Sequence, residues 1–262
     1  MPETLDVQVE AYRFHELPED VQERLIEKKR EEAFSDYFIT ESISEMFDSF
    51  LDDLFGKDGH EIKDVYWSLG YSQGDGVGFH GQIDLLSAAS DEPREQGWKW
   101  ADEYGLWLTF ERLEKAAPTL VKLAREHNFD LSYRLTGHGR YPQTAVHNLY
   151  DDLLYDLAYA ALADLDLDLD DEEWEERVEA LFDLLNEESS ELDDFVEGYI
   201  RDLEKAFERA GYDEIEYQTS EEVARERLQY LDLLYDAEGN ELPSFVYQQY
   251  LAQLKDRREK GD

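Results

Sequence analysis

The chain contains no cysteine and no long apolar run. The absence of cysteine among its 262 residues excludes disulfide bonds and thiolate metal sites. No apolar stretch approaches the ~20 residues that a membrane-spanning helix needs. The amino terminus also lacks the basic and apolar regions of a secretory signal. We therefore expect a cytoplasmic protein that has no membrane partner.

Basic residues are scarce as well. The sequence has 25 lysines and arginines against 66 aspartates and glutamates, which gives a formal net charge of −41. Hydrophobic residues make up 42% and aromatic residues 13%, so the composition is not that of a disordered acidic tail. A surface of this charge repels nucleic acids and anionic membranes and attracts basic proteins. We expect the partner to be a basic, nucleic-acid-binding protein, and no direct contact with nucleic acid.

The acidic residues are concentrated in one part of the chain. Residues 101–150 contain six acidic and six basic residues, whereas residues 151–200 contain 20 acidic residues and one base, Arg177. Like charges at helical i, i+4 spacing destabilise a helix. Because the cluster has this cost, we infer that its charge has a function.

Hydrophobic periodicity predicts an α+β protein, in which a small, mainly antiparallel sheet with amino-terminal helices precedes a mostly helical acidic half. We place the boundary between regions 1–147 and 148–262, with one continuous domain as the alternative. The predicted strands are residues 5–11, 61–69, 77–85, 106–111, 129–135 and 231–234. The predicted helices are residues 17–33, 40–55, 118–127, a stripe from 148 onward, 172–210 with a break near 188–190, one that starts at 219–222, and one from 244.

The acidic cluster is the predicted partner-binding site. Carboxylates ~5–7 Å apart, on a strand or on a helix face, approximate the phosphates of one face of a DNA duplex. Trp174 and Tyr199 are candidate anchors at its rim. The site consists of Asp164, Asp166, Asp168, Asp170, Asp171, Glu172, Glu173, Glu175, Glu176, Glu179, Asp183, Glu187, Glu188, Asp193, Asp194 and Glu197.

Other interpretations of this cluster remain open. It could be an ordinary solvated surface or an adaptation to high salt, which also explains why lysines are few. Asp164, Asp166, Asp168 and Glu175 have the spacing of a calcium-binding EF-hand loop, but Leu169 stands where its sharp turn requires glycine. We therefore predict no metal site and no cofactor.

A glycine-rich segment, residues 71–81, is the most distinctive local string. It has no dinucleotide or phosphate-loop motif, so we interpret its glycines as positions of positive φ in a hairpin. Asp75, His80 and His138 come from turns or strand ends of the predicted sheet, and a small metal-dependent hydrolase around them is an alternative. We find no nucleophile motif and expect no enzyme activity and no catalytic residues.

Two stretches of the chain have a distinctive sequence. The first is the string SQGDG at residues 72–76, with Phe79 and Gly81 after it. The second combines Leu203 and Glu204 with residues 217–223 and 236–239. Together they resemble an uncharacterised protein family of phages and mobile elements, which is sometimes labelled antitoxin-like. The resemblance implies a viral setting, hence the host-cell cytoplasm, but no activity and no catalytic residue.

In charge and setting, the chain is also similar to DNA-mimic inhibitors of restriction and CRISPR enzymes. The sequence thus predicts an inhibitor that occupies the nucleic-acid-binding cleft of a host defence nuclease or another DNA-binding protein. The alternative is an acidic interaction protein, antitoxin-like or salt-adapted, without mimicry. The oligomeric state stays open, a homodimer included.

Overall fold

The computed structural model describes residues 10–33, 37–90, 98–138, 143–165, 167, 169–246 and 248. The chain divides into two compact units. The first contains residues 1–41 and 213–262, and the second contains residues 42–212. The predicted boundary between residues 147 and 148 therefore lies inside the second unit. No helix in the described part of the chain has the length and apolar character of a membrane span.

The chain has an α+β order, in which runs of helices separate short groups of strands. The strands are β1 (Tyr12–Arg13), β2 (Asp64–Ser68), β3 (Gly76–Asp84), β4 (Ser132–Gly137), β5 (Thr144–Asn148) and β6 (Leu234–Tyr235). The helices are α1 (Glu19–Ala33), α2 (Tyr37–Phe55), α3 (Leu85–Ala88), α4 (Lys99–Glu103), α5 (Phe110–Ala116), α6 (Pro118–Glu126), α7 (Leu154–Ala163), α8 (Asp171–Gln218) and α9 (Glu221–Tyr230). Short 3-10 helices span Phe14–Glu16 and Asp151–Leu153.

The first unit joins the two ends of the chain. Strands β1 and β6 pair antiparallel, with Tyr12 opposite Tyr235. Ser220 caps α9 by accepting a hydrogen bond from the Val223 amide at 3.3 Å, as its sequence pattern predicts. The buried core of this unit consists of Phe14, Leu17, Val21, Ile26, Ala224, Leu228 and Tyr235.

The second unit contains a four-stranded antiparallel sheet in the order β2-β3-β4-β5. The hairpin of β2 and β3 confirms the two strands predicted on either side of the glycine-rich segment. Phe207 of α8 fixes the helices against this sheet, because its ring lies 4.9 Å from that of Phe47 in α2 and 5.1 Å from that of Phe79 in β3. Gly81 is required in β3, since its φ is +152° and a Cβ there would lie 2.2 Å from the Glu61 carbonyl oxygen.

Several elements differ from their prediction. The strand predicted at 106–111 is wrong: Thr109 accepts a hydrogen bond from the Arg112 amide and starts α5 instead. Strand β5 was not predicted, because it contributes few apolar residues. Among the described residues it pairs with β4, at the edge of the sheet. The strand predicted at 5–11 lies mostly outside the described residues, as do much of the turn after Gly137 and most of the final helix.

Candidate functional site

Helix α8 carries most of the predicted acidic site. A reciprocal capping box starts it: Asp170 accepts a hydrogen bond from the Glu173 amide at 2.9 Å, and Glu173 accepts one from the Asp170 amide at 3.4 Å. Acidic residues in the first turn also complement the helix dipole. One face is buried, with apolar residues at helical spacing. Its fully buried members include Val178, Leu185, Leu192, Val196, Ile200, Leu203 and Phe207.

The break predicted near residue 188 is wrong, because α8 is continuous for 48 residues. Two of the three polar residues that suggested it, Glu188 and Ser189, are turned inward. Glu188 is 6% exposed and Ser189 is 2% exposed. The Ser189 hydroxyl donates a hydrogen bond to Asp151 at 2.8 Å and accepts one from Asn148 at 3.1 Å. Tertiary hydrogen bonds therefore account for polar residues that local sequence rules assign to a helix end.

Glu188 differs from most of the predicted site because its side chain is buried. Its carboxylate accepts a hydrogen bond of 2.7 Å from the backbone amide of Leu120, in the first turn of α6. The first amides of a helix have no intrahelical acceptor, and Ala117, which precedes α6, has no side chain that could cap it. A buried carboxylate with this role cannot present its charge to another protein.

Asp193 is only partly exposed and belongs to a buried polar network. It accepts hydrogen bonds from the Tyr133 hydroxyl at 2.7 Å and from the Asn148 amide at 3.3 Å. Because Tyr133 donates its single proton to Asp193, the Tyr150 hydroxyl, 2.7 Å away, donates to Tyr133. Burial raises the pKa of Asp193, although the hydrogen bonds from Tyr133 and Asn148 lower it in part. This network ties β4 and β5 to α8.

Most of the predicted site is on the surface. Two members, Asp166 and Asp168, lie outside the described residues. The exposed members are Asp164, Asp170, Asp171, Glu172, Glu173, Glu175, Glu176, Glu179, Asp183, Glu187, Asp194 and Glu197.

A row of carboxylates runs along the side of α8 opposite its buried stripe. We call Glu172, Glu176, Asp183, Glu187 and Asp194 the acidic row. Its members follow one another at steps of four or seven residues, and the row is ~33 Å long at 1.5 Å per residue. In the part of the chain that the structure describes, no lysine, arginine or histidine side chain lies within ion-pair distance of these five carboxylates. The ion pairs on α8 begin farther along, with Glu197 and Arg201 at 2.6 Å.

Aromatic residues lie beside this acidic surface, where α7 contacts α8. Tyr155 and Phe182 form a T-shaped pair with ring centroids 5.9 Å apart, and Tyr159 and Trp174 form another at 5.6 Å. We call these four residues the aromatic strip. Tyr155 is 46% exposed and Tyr159 is 52% exposed. Of the two candidate anchors, Trp174 is half-buried beneath Tyr159, whereas Tyr199 is buried and donates a hydrogen bond to the Leu106 carbonyl.

The glycine-rich hairpin has a structural organisation. Asp75 accepts hydrogen bonds from the Ser72 amide at 2.8 Å, from the Ser72 hydroxyl at 3.0 Å and from the Tyr212 hydroxyl at 2.6 Å. Burial alone would raise the pKa of Asp75, but these hydrogen bonds outweigh it and lower the pKa well below its ordinary value. Gly74 has a φ of +134°, as the hairpin interpretation predicts.

The structure places His80 in β3 and Asp75 directly before this strand, so these two members of the alternative hydrolytic site lie along one extended segment. Asp75 and His80 are five residues apart along an extended segment, which is ~16 Å at strand geometry. Acid and base partners need hydrogen-bond distance. Among the residues that the structure describes, no three or more carboxylate and imidazole groups are placed to hold a metal ion.

Sequence reasoning missed two features of this region. The pair Tyr155 and Tyr159 could have been found from the sequence, because tyrosines four residues apart share one face of a helix. The role of Glu204 could not have been found in this way. Its carboxylate accepts a hydrogen bond of 2.6 Å from the Thr144 amide in β5, and the two residues are 60 apart in the chain.

Comparisons with family models, with curated proteins and with solved structures find no significant match. The resemblance of residues 72–81 to a phage family therefore stays a prediction.

Proposed function

We propose that this protein is a phage-type DNA mimic, which occupies the nucleic-acid-binding cleft of a basic host protein and excludes the nucleic acid. A host defence nuclease is the target that we consider first. The observation that carries this proposal is the acidic row of α8, a solvent-exposed series of carboxylates on one continuous helix that form no ion pair among the described residues.

The spacing of the carboxylates supports this proposal. The steps of four and seven residues advance the row by ~6 Å and ~10.5 Å along the helix axis. One DNA strand carries one phosphate charge about every 3.4 Å of its helix axis. Glu173, Glu179 and Glu191, which lie beside the row and are exposed, bring the mean spacing closer to that of the phosphates. A cleft that binds phosphates through lysine and arginine side chains would meet a similar density of negative charge on a rigid rod.

The continuity of α8 also supports the proposed mimicry. A helix that broke near residue 188 would divide the acidic row into two short segments of independent direction. Because Glu188 and Ser189 are held by hydrogen bonds to α6 and to the segment before α7, the row keeps one direction. A preorganised charge array binds at a lower entropic cost than a flexible acidic segment.

The decisive experiment is capture of the partner from host lysate by the tagged protein, with duplex DNA added as competitor. Counterion release requires that DNA and increasing salt both release a partner bound through its phosphate-binding residues. We expect a nucleic-acid-binding protein to be captured at low salt and to be released by either treatment.

A matched pair of variants tests whether the acidic row itself is responsible for capture of the partner. The test variant carries Glu172→Lys, Glu176→Lys, Asp183→Lys and Glu187→Lys. The control variant carries Asp48→Lys, Asp53→Lys, Glu61→Lys and Asp64→Lys, which are exposed and cause the same change in net charge. We expect the test variant to lose the capture and the control variant to keep it.

Other results would point to the alternatives. Equal loss in both variants would mean that net charge alone attracts the partner. A partner that both variants keep, and that DNA does not release, would mean an interaction protein without mimicry.

A further inference from the structure

The aromatic strip has an arrangement that a simple charge mimic does not need. Two exposed rings on α7, Tyr155 and Tyr159, pair with two half-buried rings on α8, Trp174 and Phe182, and the four form one patch. In a T-shaped pair, one ring presents only its edge to the other, so that its own faces are not covered by this contact. The strip therefore offers ring faces to a partner.

An acidic residue stands at the same distance in the sequence before each ring of the strip. The residue three positions earlier in the chain is an exposed acid in every case: Asp152 before Tyr155, Asp156 before Tyr159, Asp171 before Trp174 and Glu179 before Phe182. On a helix, side chains at i and i+3 are neighbours about 5–6 Å apart. Ring and carboxylate are thus repeated four times as a pair.

We propose that the aromatic strip is a docking surface for arginine side chains of a basic partner segment. A guanidinium group stacks on an aromatic ring and donates forked hydrogen bonds to a carboxylate, whereas an ammonium group is a strongly hydrated point charge that cannot form the forked contact. Charge complementarity decides the occupant, because residues 151–200 contain 20 acids and one base. This inference rests on the proposed function for the identity of the partner and adds which side chain it supplies.

Defined peptides test this inference without knowledge of the partner. We would titrate the full-length protein with octa-arginine and with octa-lysine in a calorimeter at about 0.1 M salt, where the Debye length is about 10 Å. A phosphate-like charge array alone binds the two peptides with similar affinity. We expect octa-arginine to bind more tightly, by about two- to fivefold for each ring that it stacks on.

Three single variants separate stacking from charge. Tyr159→Ala should reduce the preference for arginine by about two- to fivefold, the contribution of one ring, and leave octa-lysine binding unchanged. Asp156→Asn should weaken binding of both peptides. Tyr230→Ala is the matched control, because Tyr230 is 90% exposed and has Arg227, not an acid, three residues before it. This control should change neither affinity. Both tyrosines are exposed on helices and alanine favours the helix, so the variants should fold.

Three results would overturn the inference: equal affinity of the wild-type protein for the two peptides, an arginine preference that Tyr159→Ala leaves undiminished, or a dimer that Tyr159→Ala converts to a monomer. The last result would assign the strip to a second copy of this chain. The outcome is independent of the capture experiment. If DNA releases the captured partner but the protein shows no preference for octa-arginine, the proposal of mimicry stands and the docking surface is rejected.

Discussion

Glu187 and Glu188 are adjacent in the chain, but their carboxylates are in opposite environments. Glu187 is exposed on the acidic row, while Glu188 is buried and accepts a hydrogen bond from the Leu120 amide. One helical step of 100° accounts for the difference, since it moves a side chain from the outer side of α8 toward the buried stripe. Net charge and residue type therefore do not indicate which acid of the cluster faces a partner.

Replacement of Glu188 should destabilise the fold without affecting the acidic row. Glu188→Ala leaves the buried Leu120 amide without an acceptor and should lower the free energy of unfolding by about 1–3 kcal/mol. Glu188→Gln keeps a carbonyl acceptor and should cost less. Urea unfolding followed by circular dichroism measures both. Glu187→Ala is the control and should change the value by less than about 0.5 kcal/mol. Equal losses at the two positions would contradict this role of Glu188.

At the scale of elements, α8 combines a stable buried stripe with an unfavourable surface. Glu179 lies four residues after Glu175, three after Glu176 and four before Asp183, and all four carboxylates are exposed. Each of these like-charge pairs destabilises a helix by about 0.2–0.5 kcal/mol. Apolar contacts of the buried stripe offset this repulsion. A helix optimised for stability alone would have lysine or arginine at some of these positions.

A single charge reversal should therefore stabilise the protein while it weakens partner binding. Glu179→Lys converts three repulsive pairs into attractive ones and should raise the free energy of unfolding by about 1 kcal/mol at low salt. This gain should shrink in 1 M NaCl, where screening is strong. Glu179→Gln, which only removes the repulsion, should give about half the gain. Urea unfolding at both salt concentrations measures these effects, and a loss of stability at low salt would show that Glu179 has an attractive contact.

At the scale of the whole molecule, the net charge of −41 opposes the compact state. Salt should reduce this self-repulsion, because the Debye length falls from about 10 Å at 0.1 M to about 3 Å at 1 M. We expect the free energy of unfolding to rise over this range and then to level off. The variant with four lysines in the acidic row should show a smaller rise.

Urea unfolding at 0.1, 0.3, 1 and 3 M NaCl measures this dependence. A constant free energy of unfolding would mean that the charges are too far apart, or too well paired, to matter for folding. A continued rise between 1 and 3 M would favour the salt-adaptation hypothesis over mimicry, because screening is nearly complete at 1 M.

The sequence alone determined the class of the fold and the elements with strong local signals. Helices α1 and α2, the hairpin of β2 and β3, and the capped start of α9 follow from hydrophobic period, from glycine positions and from Ser220. These signals act between residues close in the chain, so a linear pattern contains them. The same holds for the location of the acidic cluster.

Only the tertiary structure decided which polar residues are functional candidates. The uninterrupted course of α8, the cap that Glu188 provides for α6, the pairing of β5 with β4 and the inward position of Asp193 all depend on contacts between distant parts of the chain. The grouping of Tyr159 with Trp174 does too. A buried polar group requires a partner, and the chain supplies it from wherever the fold brings one close.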